Sequence, residues 1–200
     1  MRLRAIFAAI AAVAAGSAVL AAVTDGFRVA TTEGAWRLAV AERPRPLPDA
    51  TLLDQSDRAF RLSALRGRPV LVEFFYTSCP AICGLLASQF QMVLDALVKR
   101  PRGREVLLLS VSFDLERDGV TELADYAARL GDDGRIWRIA RVNNPGELRG
   151  LLDAFGVVVL PDGVGGFVHN AAIYLIDAQG RLAGVYDPDA AERAIAEATK

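Results

Sequence analysis

Two short apolar runs constrain the fold of this chain most strongly. The first, PVLVEFF, spans 69–75, and the second, VLLLSVSF, spans 106–113. Strands that are apolar on both faces are typical of a parallel sheet with helices on each side. Between the two runs, apolar residues recur at helical spacing over 80–99. The sequence therefore predicts a strand–helix–strand unit at the centre of the fold.

The remaining chain continues this alternation. We expect a β-hairpin over 50–62 and, beyond the second run, a helix over 120–130, a strand over 136–140, a helix over 145–155, a hairpin over 171–186 and a helix over 189–199. Strand–helix alternation that closes with a hairpin and a helix is typical of the thioredoxin fold. The predicted class is α/β, thioredoxin-like, with an added N-terminal β-hairpin; another small α/β sandwich is the alternative.

The first residues of the chain differ in composition from the rest. Arg2 and Arg4 precede an uncharged run over 5–23. A basic start followed by about 20 apolar residues is typical of a membrane span, and a shorter apolar core is typical of a cleaved signal peptide. We predict one uncut transmembrane helix from the length of the run, with cleavage near 20–22 as the alternative. Either segment exports the domain. An uncut helix keeps it at the inner (cytoplasmic) membrane facing the periplasm, and a cleaved one leaves it secreted.

A proline-rich segment separates this start from the domain. A short helix is expected before residue 41, and then prolines occupy every second position over 43–48. Such spacing blocks a helix and favours an extended spacer. We therefore divide the chain into an anchor or signal segment (1–23), a juxtamembrane segment with linker (24–47) and one domain (48–200).

The charge balance excludes one class of partner. The sequence has 23 basic and 24 acidic residues and a net charge of −1. A nucleic-acid-binding protein needs a strongly basic face, so we expect no nucleic-acid partner. The chain has only two cysteines and one histidine, and their positions are therefore unusually informative.

Both cysteines lie where the first apolar run passes into its helix, and this position favours the thioredoxin plan. Cys79 follows the strand, at the sheet edge where open α/β sheets bind ligands, and Pro80 suits the first helical position. Cys83 falls in the first turn, where the helix N-terminus stabilises a thiolate. Three residues separate the cysteines, a helical i,i+4 step, whereas redox thioredoxin motifs have two. The pair can cycle between a disulfide and a metal-binding dithiol.

His169 immediately precedes the closing hairpin. A lone histidine more often has an ordinary structural role, but in a thioredoxin-like topology this loop lies against the cysteines. Two thiolates and one imidazole form a soft, three-coordinate set that selects Cu(I) and can also hold Cu(II). A structural zinc site would need a fourth protein ligand. We therefore predict a copper site formed by Cys79, Cys83 and His169, and we expect Met92 to pack in the core.

Three segments carry a family resemblance. They are CPAIC at 79–83, VSFDLERD at 111–118, and His169 shortly before IYLID at 173–177. With these segments in this order, the chain resembles the Sco/SenC family of copper-binding, thioredoxin-like cytochrome c oxidase assembly proteins, over about 48–200. The resemblance implies copper binding by the two cysteines and the histidine. It also implies a role in building the dinuclear copper site of the oxidase, with the oxidase copper-site subunit or another copper or thiol client as partner.

Some residues beside these motifs depart from the family pattern. Ala81 replaces an Asp, and Gly84 and Leu115 each replace a Pro. The ligand set is retained, so the departures bear on partner docking and redox potential rather than on metal binding. Asp114 ends the second apolar strand on the same sheet edge as the cysteines. It could tune a cysteine or orient a ligand, or it could cap the next turn or pair with Arg117.

Two functions remain open from the sequence. The first is a metallochaperone that delivers copper and is not an enzyme, and the second is a metal-independent thiol–disulfide oxidoreductase that reduces client cysteines in the periplasm. The cysteines serve both functions, and only the first needs His169. A peroxidase would need an activating Arg or Thr around its cysteine, and only Thr77 is near. A purely structural disulfide suits an exported protein but would close a loop too small to stabilise much.

Overall fold

The computed structural model describes residues 2–24, 26, 31–78, 82–130 and 135–200. The chain divides into two compact units, Met1–Arg43 and Pro44–Lys200.

The first unit contains two helices, α1 (Arg2–Val23) and α2 (Thr32–Glu42). Helix α2 begins where the Thr31 hydroxyl accepts a hydrogen bond from the Gly34 amide at 3.0 Å, a cap that stabilises a helix by about 1 kcal/mol. The uncharged N-terminal run is thus helical, as predicted. In the described part of the chain, no helix is both long enough and apolar enough to cross a membrane.

The second unit is built on a mixed sheet. Its eight strands are β1 (Arg45–Pro46), β2 (Thr51–Asp54), β3 (Ala59–Arg61), β4 (Val70–Phe75), β5 (Leu107–Ser112), β6 (Trp137–Val142), β9 (Ile173–Ile176) and β10 (Arg181–Tyr186), and a separate ribbon pairs β7 (Val159–Pro161) with β8 (Phe167–His169). The sheet order is β1-β10-β9-β4-β5-β6-β2-β3. Strands β4, β5 and β6 are mutually parallel, and every residue of β4 and β5 is buried. The prediction of two central strands buried on both faces is therefore confirmed.

Helices cover both faces of this sheet. They are α3 (Ile82–Val98), α4 (Val120–Leu130), α5 (Pro145–Phe155) and α6 (Ala191–Ala198). Neighbouring residues of a strand point to opposite faces, and Phe74 meets Phe155 of α5 while Phe75 stacks on Tyr126 of α4. Helices α4 and α5 therefore lie on opposite faces, and the predicted α/β layering is confirmed.

Helix α3, which begins beside the cysteines, packs through one stripe. Phe90, Val93 and Leu97 are buried and follow helical spacing, and the Phe90 ring lies 5.9 Å from the Trp137 ring. Met92 is 60% exposed. The prediction that Met92 packs in the core was wrong, because it lies outside the stripe formed by its neighbours.

A carboxyl group interrupts the apolar centre of the sheet. Glu73 of β4 is buried, and its Oε1 accepts a hydrogen bond from the Ser110 hydroxyl at 2.5 Å. The Trp137 indole in turn donates to Ser110 Oγ at 2.8 Å. Burial raises the pKa of Glu73 to about 8, so the group is mainly protonated at neutral pH.

Two elements were not predicted. Strand β1 lies in the segment expected to be a linker and pairs antiparallel with β10, with Arg45 opposite Leu182. The ribbon of β7 and β8 lies in a stretch expected to be loop, and it makes His169 a strand residue paired with Val159. The predicted hairpin of β2 and β3 is present.

Candidate metal centre

The cysteine segment joins β4 to α3, as the sequence predicted. Strand β4 ends at Phe75 and α3 begins at Ile82. Cys79 lies outside the described residues, and Cys83 lies in the first turn of α3 with its side chain outside the described part. Among the side chains that are described, no three histidines, cysteines or acidic residues form a group that could hold a metal ion. The convergence of the two thiols on His169 stays a prediction.

His169 presents a free nitrogen in a partly buried position at the end of β8. Its Nδ1 lies 3.4 Å from the carbonyl oxygen of Asn170. A carbonyl only accepts, so Nδ1 carries the proton in this contact and Nε2 keeps its lone pair. Nε2 is buried and has no hydrogen-bond partner among the described residues. Burial lowers the pKa of His169, which favours the neutral imidazole, the form that binds metals.

An aromatic cluster of Tyr76, Phe113 and Phe167 supports the ribbon beneath the imidazole. Tyr76 directly follows β4, and its hydroxyl donates to the Phe167 carbonyl at 3.3 Å and accepts from the Phe167 amide at 3.2 Å. The ring centroids of the cluster lie 5.3 to 5.6 Å apart. The imidazole centroid lies 5.0 Å from that of Phe113. The cluster thus ties β8 to the end of β4, the strand that leads to the cysteines.

Asn170 fixes the other side of the ribbon and was not singled out in the sequence. Its Nδ2 donates to the Gly156 carbonyl at 2.9 Å, and its Oδ1 accepts from the Val158 amide at 2.7 Å. Both partners lie between the end of α5 and β7. The residue next to the imidazole is therefore anchored at both ends of its amide group.

Asp114 lies in a turn after β5 and is 4% exposed. Its carboxylate accepts hydrogen bonds from the Arg117 guanidinium and, at 3.4 Å, from the Arg117 amide. Its own amide donates to Ser112 Oγ at 3.1 Å. Asp114 therefore caps the turn and pairs with Arg117, which was one of the two roles expected from the sequence. Its other expected role, an action on a cysteine or a metal ligand, stays a prediction.

Asp118, at the end of the same turn, is the residue that sequence reasoning missed. It is 0% exposed, and its carboxylate accepts from the Thr77 amide at 2.9 Å and the Thr77 hydroxyl at 2.5 Å. A third bond comes from the Ser112 hydroxyl. Thr77 stands two positions before Cys79. A buried carboxylate therefore holds the start of the cysteine segment. In the sequence, Asp118 is the last residue of the VSFDLERD motif, and this position could have drawn attention to it.

Known proteins resemble this chain in sequence and in fold. The sequence model of the family described as SCO1/SenC matches residues 41–200. A protein of Stutzerimonas stutzeri, whose name proposes copper binding, is 27% identical over 146 residues, or 71% of this chain and 69% of that protein.

Two solved structures extend the comparison. Bradyrhizobium japonicum ScoI with copper bound has a TM-score of 0.62 and 26% identity, and the match covers 76% of this chain and 99% of that one. BsSco, described as a Sco-family cytochrome c oxidase assembly protein with a disulfide switch, has a TM-score of 0.69 and 20% identity over 78% of this chain and 92% of that one. These superpositions confirm the predicted thioredoxin-like α/β fold.

Proposed function

Because the chain belongs to the SCO1/SenC family, we propose that it binds one copper ion through Cys79, Cys83 and His169. In this proposal copper is cargo, delivered during assembly of the copper site of cytochrome c oxidase. The single observation that carries the proposal is the buried Nε2 of His169, which has no hydrogen-bond partner among the described residues. ScoI with copper bound and the description of BsSco as an oxidase assembly protein support it.

The described imidazole fits a soft metal ion. A buried polar atom without a partner costs about 1–3 kcal/mol, and a metal bound at Nε2 would remove that cost for His169. Its neutral form needs no proton release before binding, since burial lowers its pKa. Imidazole and thiolate together select copper over hard cations such as Mg²⁺ and Ca²⁺.

Three donors also suit release of the ion to a client. A three-coordinate set leaves a position open to a further ligand, as in metal sites that exchange ligands rather than hold structure. A thiolate or imidazole of the client could bind copper at this open position before the donors of this chain release it.

The second candidate function is thiol–disulfide exchange. The disulfide switch described for BsSco favours it. One thiolate of this chain would attack a client disulfide, and the second would resolve the mixed disulfide. The client then leaves with two thiols, and this chain keeps a Cys79–Cys83 disulfide. None of these steps needs an imidazole.

Oxidase activity in cells that carry single variants separates the two functions. If the chain delivers copper, His169→Ala should abolish support of oxidase assembly while the cysteines still form and exchange a disulfide. Cys79→Ser and Cys83→Ser should abolish it under either function. Val168→Ala, beside the histidine and exposed, is the matched control and should act as wild type. Full oxidase activity with His169→Ala would contradict copper delivery and favour the oxidoreductase.

The proposal includes export of the domain to the periplasmic side of the inner membrane, with the N-terminal segment retained or cleaved. The support is the sequence pattern, in which Arg2 and Arg4 precede the uncharged run over 5–23. A cysteine pair that cycles through a disulfide suits the oxidising periplasm.

A further inference from the structure

The turn formed by residues 114–118 contacts both halves of the proposed site. On one side, the Arg117 guanidinium donates to the Gly165 carbonyl and lies 5.1 Å from the centroid of the Phe167 ring. Gly165 and Phe167 precede His169 by four and two positions. Asp114 holds the same guanidinium through Nε. Arg117 therefore binds the ribbon that carries the histidine.

On its other side, the 114–118 turn holds the segment that leads to the first cysteine. The carboxylate of Asp118 receives both the amide and the hydroxyl of Thr77, at 2.9 and 2.5 Å. The carboxylate is fully buried, so water does not compete for it. Thr77 is thereby fixed two positions before Cys79.

The 114–118 turn is itself tied to the sheet. The Asp118 amide donates to the Asp114 carbonyl at 2.9 Å, which closes the turn. Arg141 of β6 donates to the Asp118 carbonyl at 3.1 Å, and the Asp114 amide donates to Ser112 Oγ of β5 at 3.1 Å. Contacts to two central strands give the turn a fixed place at the sheet edge.

We propose that Arg117 and Asp118 are positioning residues that set the separation between His169 and the cysteine segment. Adjacent side chains of one anchored turn hold the two halves of the copper site. The inference rests on the proposed function, and neither residue is assigned a bond to copper. Partners that orient metal ligands typically change metal affinity by about 10- to 100-fold when they are mutated.

Hydrogen exchange on the full chain without metal tests the contacts of Arg117 with the ribbon and of Asp118 with Thr77. Arg117→Gln should speed amide exchange over 163–168, and Asp118→Asn should speed exchange of the Thr77 amide. Asparagine has one acceptor oxygen and no charge, so it cannot hold both Thr77 donors and Ser112. Unchanged exchange in these segments would overturn the inference, whatever the copper measurements show.

Copper competition titration of the same full-length variants supplies the second readout. Arg117→Gln and Asp118→Asn should each weaken copper binding about 10-fold or more. When His169 is already replaced by Ala, adding Arg117→Gln should cause no further loss of copper affinity, because Arg117 acts on the site only through the histidine. An equal loss from Arg117→Gln with and without His169 would overturn the inference.

Two remote turns provide matched controls. Asp54 is a buried carboxylate that accepts from the Ser56 and Arg58 amides. Arg181, the first residue of β10, pairs with Asp177 in the turn before it. Asp54→Asn and Arg181→Gln should leave copper affinity at the wild-type value. A loss as large as that of the 114–118 variants would assign the effect to general destabilisation and overturn the inference. Failure of the proposed function is distinct, since His169→Ala alone would then bind copper as wild type does.

Discussion

Replacing Glu73 by glutamine tests the buried carboxyl group of β4. The side chain lies among apolar strands, and burial raises its pKa from an ordinary 4.5 to about 8. Glutamine keeps a carbonyl oxygen for the Ser110 hydroxyl but cannot ionise. The substitution therefore removes one titration while it retains the hydrogen bond described at 2.5 Å.

The sign of the effect follows from proton binding in the two states. Between pH 4.5 and about 8, the folded chain keeps the Glu73 proton and the unfolded chain loses it. The contribution of Glu73 to stability is complete below the unfolded pKa and is lost as pH rises through this window. Each pH unit is equivalent to about 1.4 kcal/mol. Between pH 5 and pH 7.5 the free energy of unfolding should therefore fall by about 3 kcal/mol through this group.

Urea unfolding of wild type and Glu73→Gln at several pH values measures this difference. The wild-type stability relative to the variant should decline by about 3 kcal/mol from pH 5 to pH 7.5. All other titrating groups are common to both proteins, so their contributions cancel in the comparison. Parallel stability curves would refute the reasoning, because they would mean that Glu73 binds the same number of protons folded and unfolded.

Three further outcomes are expected. Residues 44–200 should show one cooperative melt by circular dichroism after chelation, because the long apolar strands form the core without a metal; loss of the transition would contradict this. Tyr76→Phe should lower the free energy of unfolding by about 1–3 kcal/mol in urea titrations, since the Phe167 amide and carbonyl lose their partner; an unchanged midpoint would contradict this. A periplasmic reporter fused after residue 200 should be active, and reversing the charges of Arg2 and Arg4 should reduce its activity; an inactive wild-type fusion would contradict export.

The central fold could be predicted from sequence because its signals are local. The two apolar runs became β4 and β5. Their few polar residues, Glu73, Ser110 and Ser112, are buried, so neither strand has a solvent face. Helix α5 has the predicted bounds, Pro145–Phe155. The Asn144 side chain caps the start of this helix, and Gly156 ends it with a φ of 68°. Both capping residues can be recognised in the sequence, so they fix the two ends of the helix.

Other elements depend on contacts between distant segments. Strand β1 is two residues long and contains a proline, and it exists only through its pairing with β10. Strands β7 and β8 have three residues each, too few for an alternation to be recognised. The prediction that Met92 is buried failed for a related reason, because the apolar character of one residue does not reveal which side of a helix it occupies.

The candidate site was accessible to sequence reasoning in part. The order of strand, cysteines and helix follows from chain topology. The expected placement of His169 against the cysteines stays a prediction, and its partial burial at the end of β8 was not predicted. The role of Asp118 does not, because its contact with Thr77 arises only when β4 and β5 lie side by side. Carboxyl ends of parallel strands meet at one edge, so the residues after both strands could have been compared. Asp114 drew attention instead, although its described contacts are with Arg117 and Ser112.

Copper titration of the reduced full chain tests the proposed copper site most directly. Wild type should bind one copper ion per chain under anaerobic conditions, and competition with a chelator should show that His169→Ala weakens binding by more than about 100-fold, beyond the range typical of residues that only orient ligands. The sequence has no second histidine and no third cysteine to replace a lost donor. Wild-type affinity in His169→Ala would contradict the proposal and leave a site made of cysteines alone.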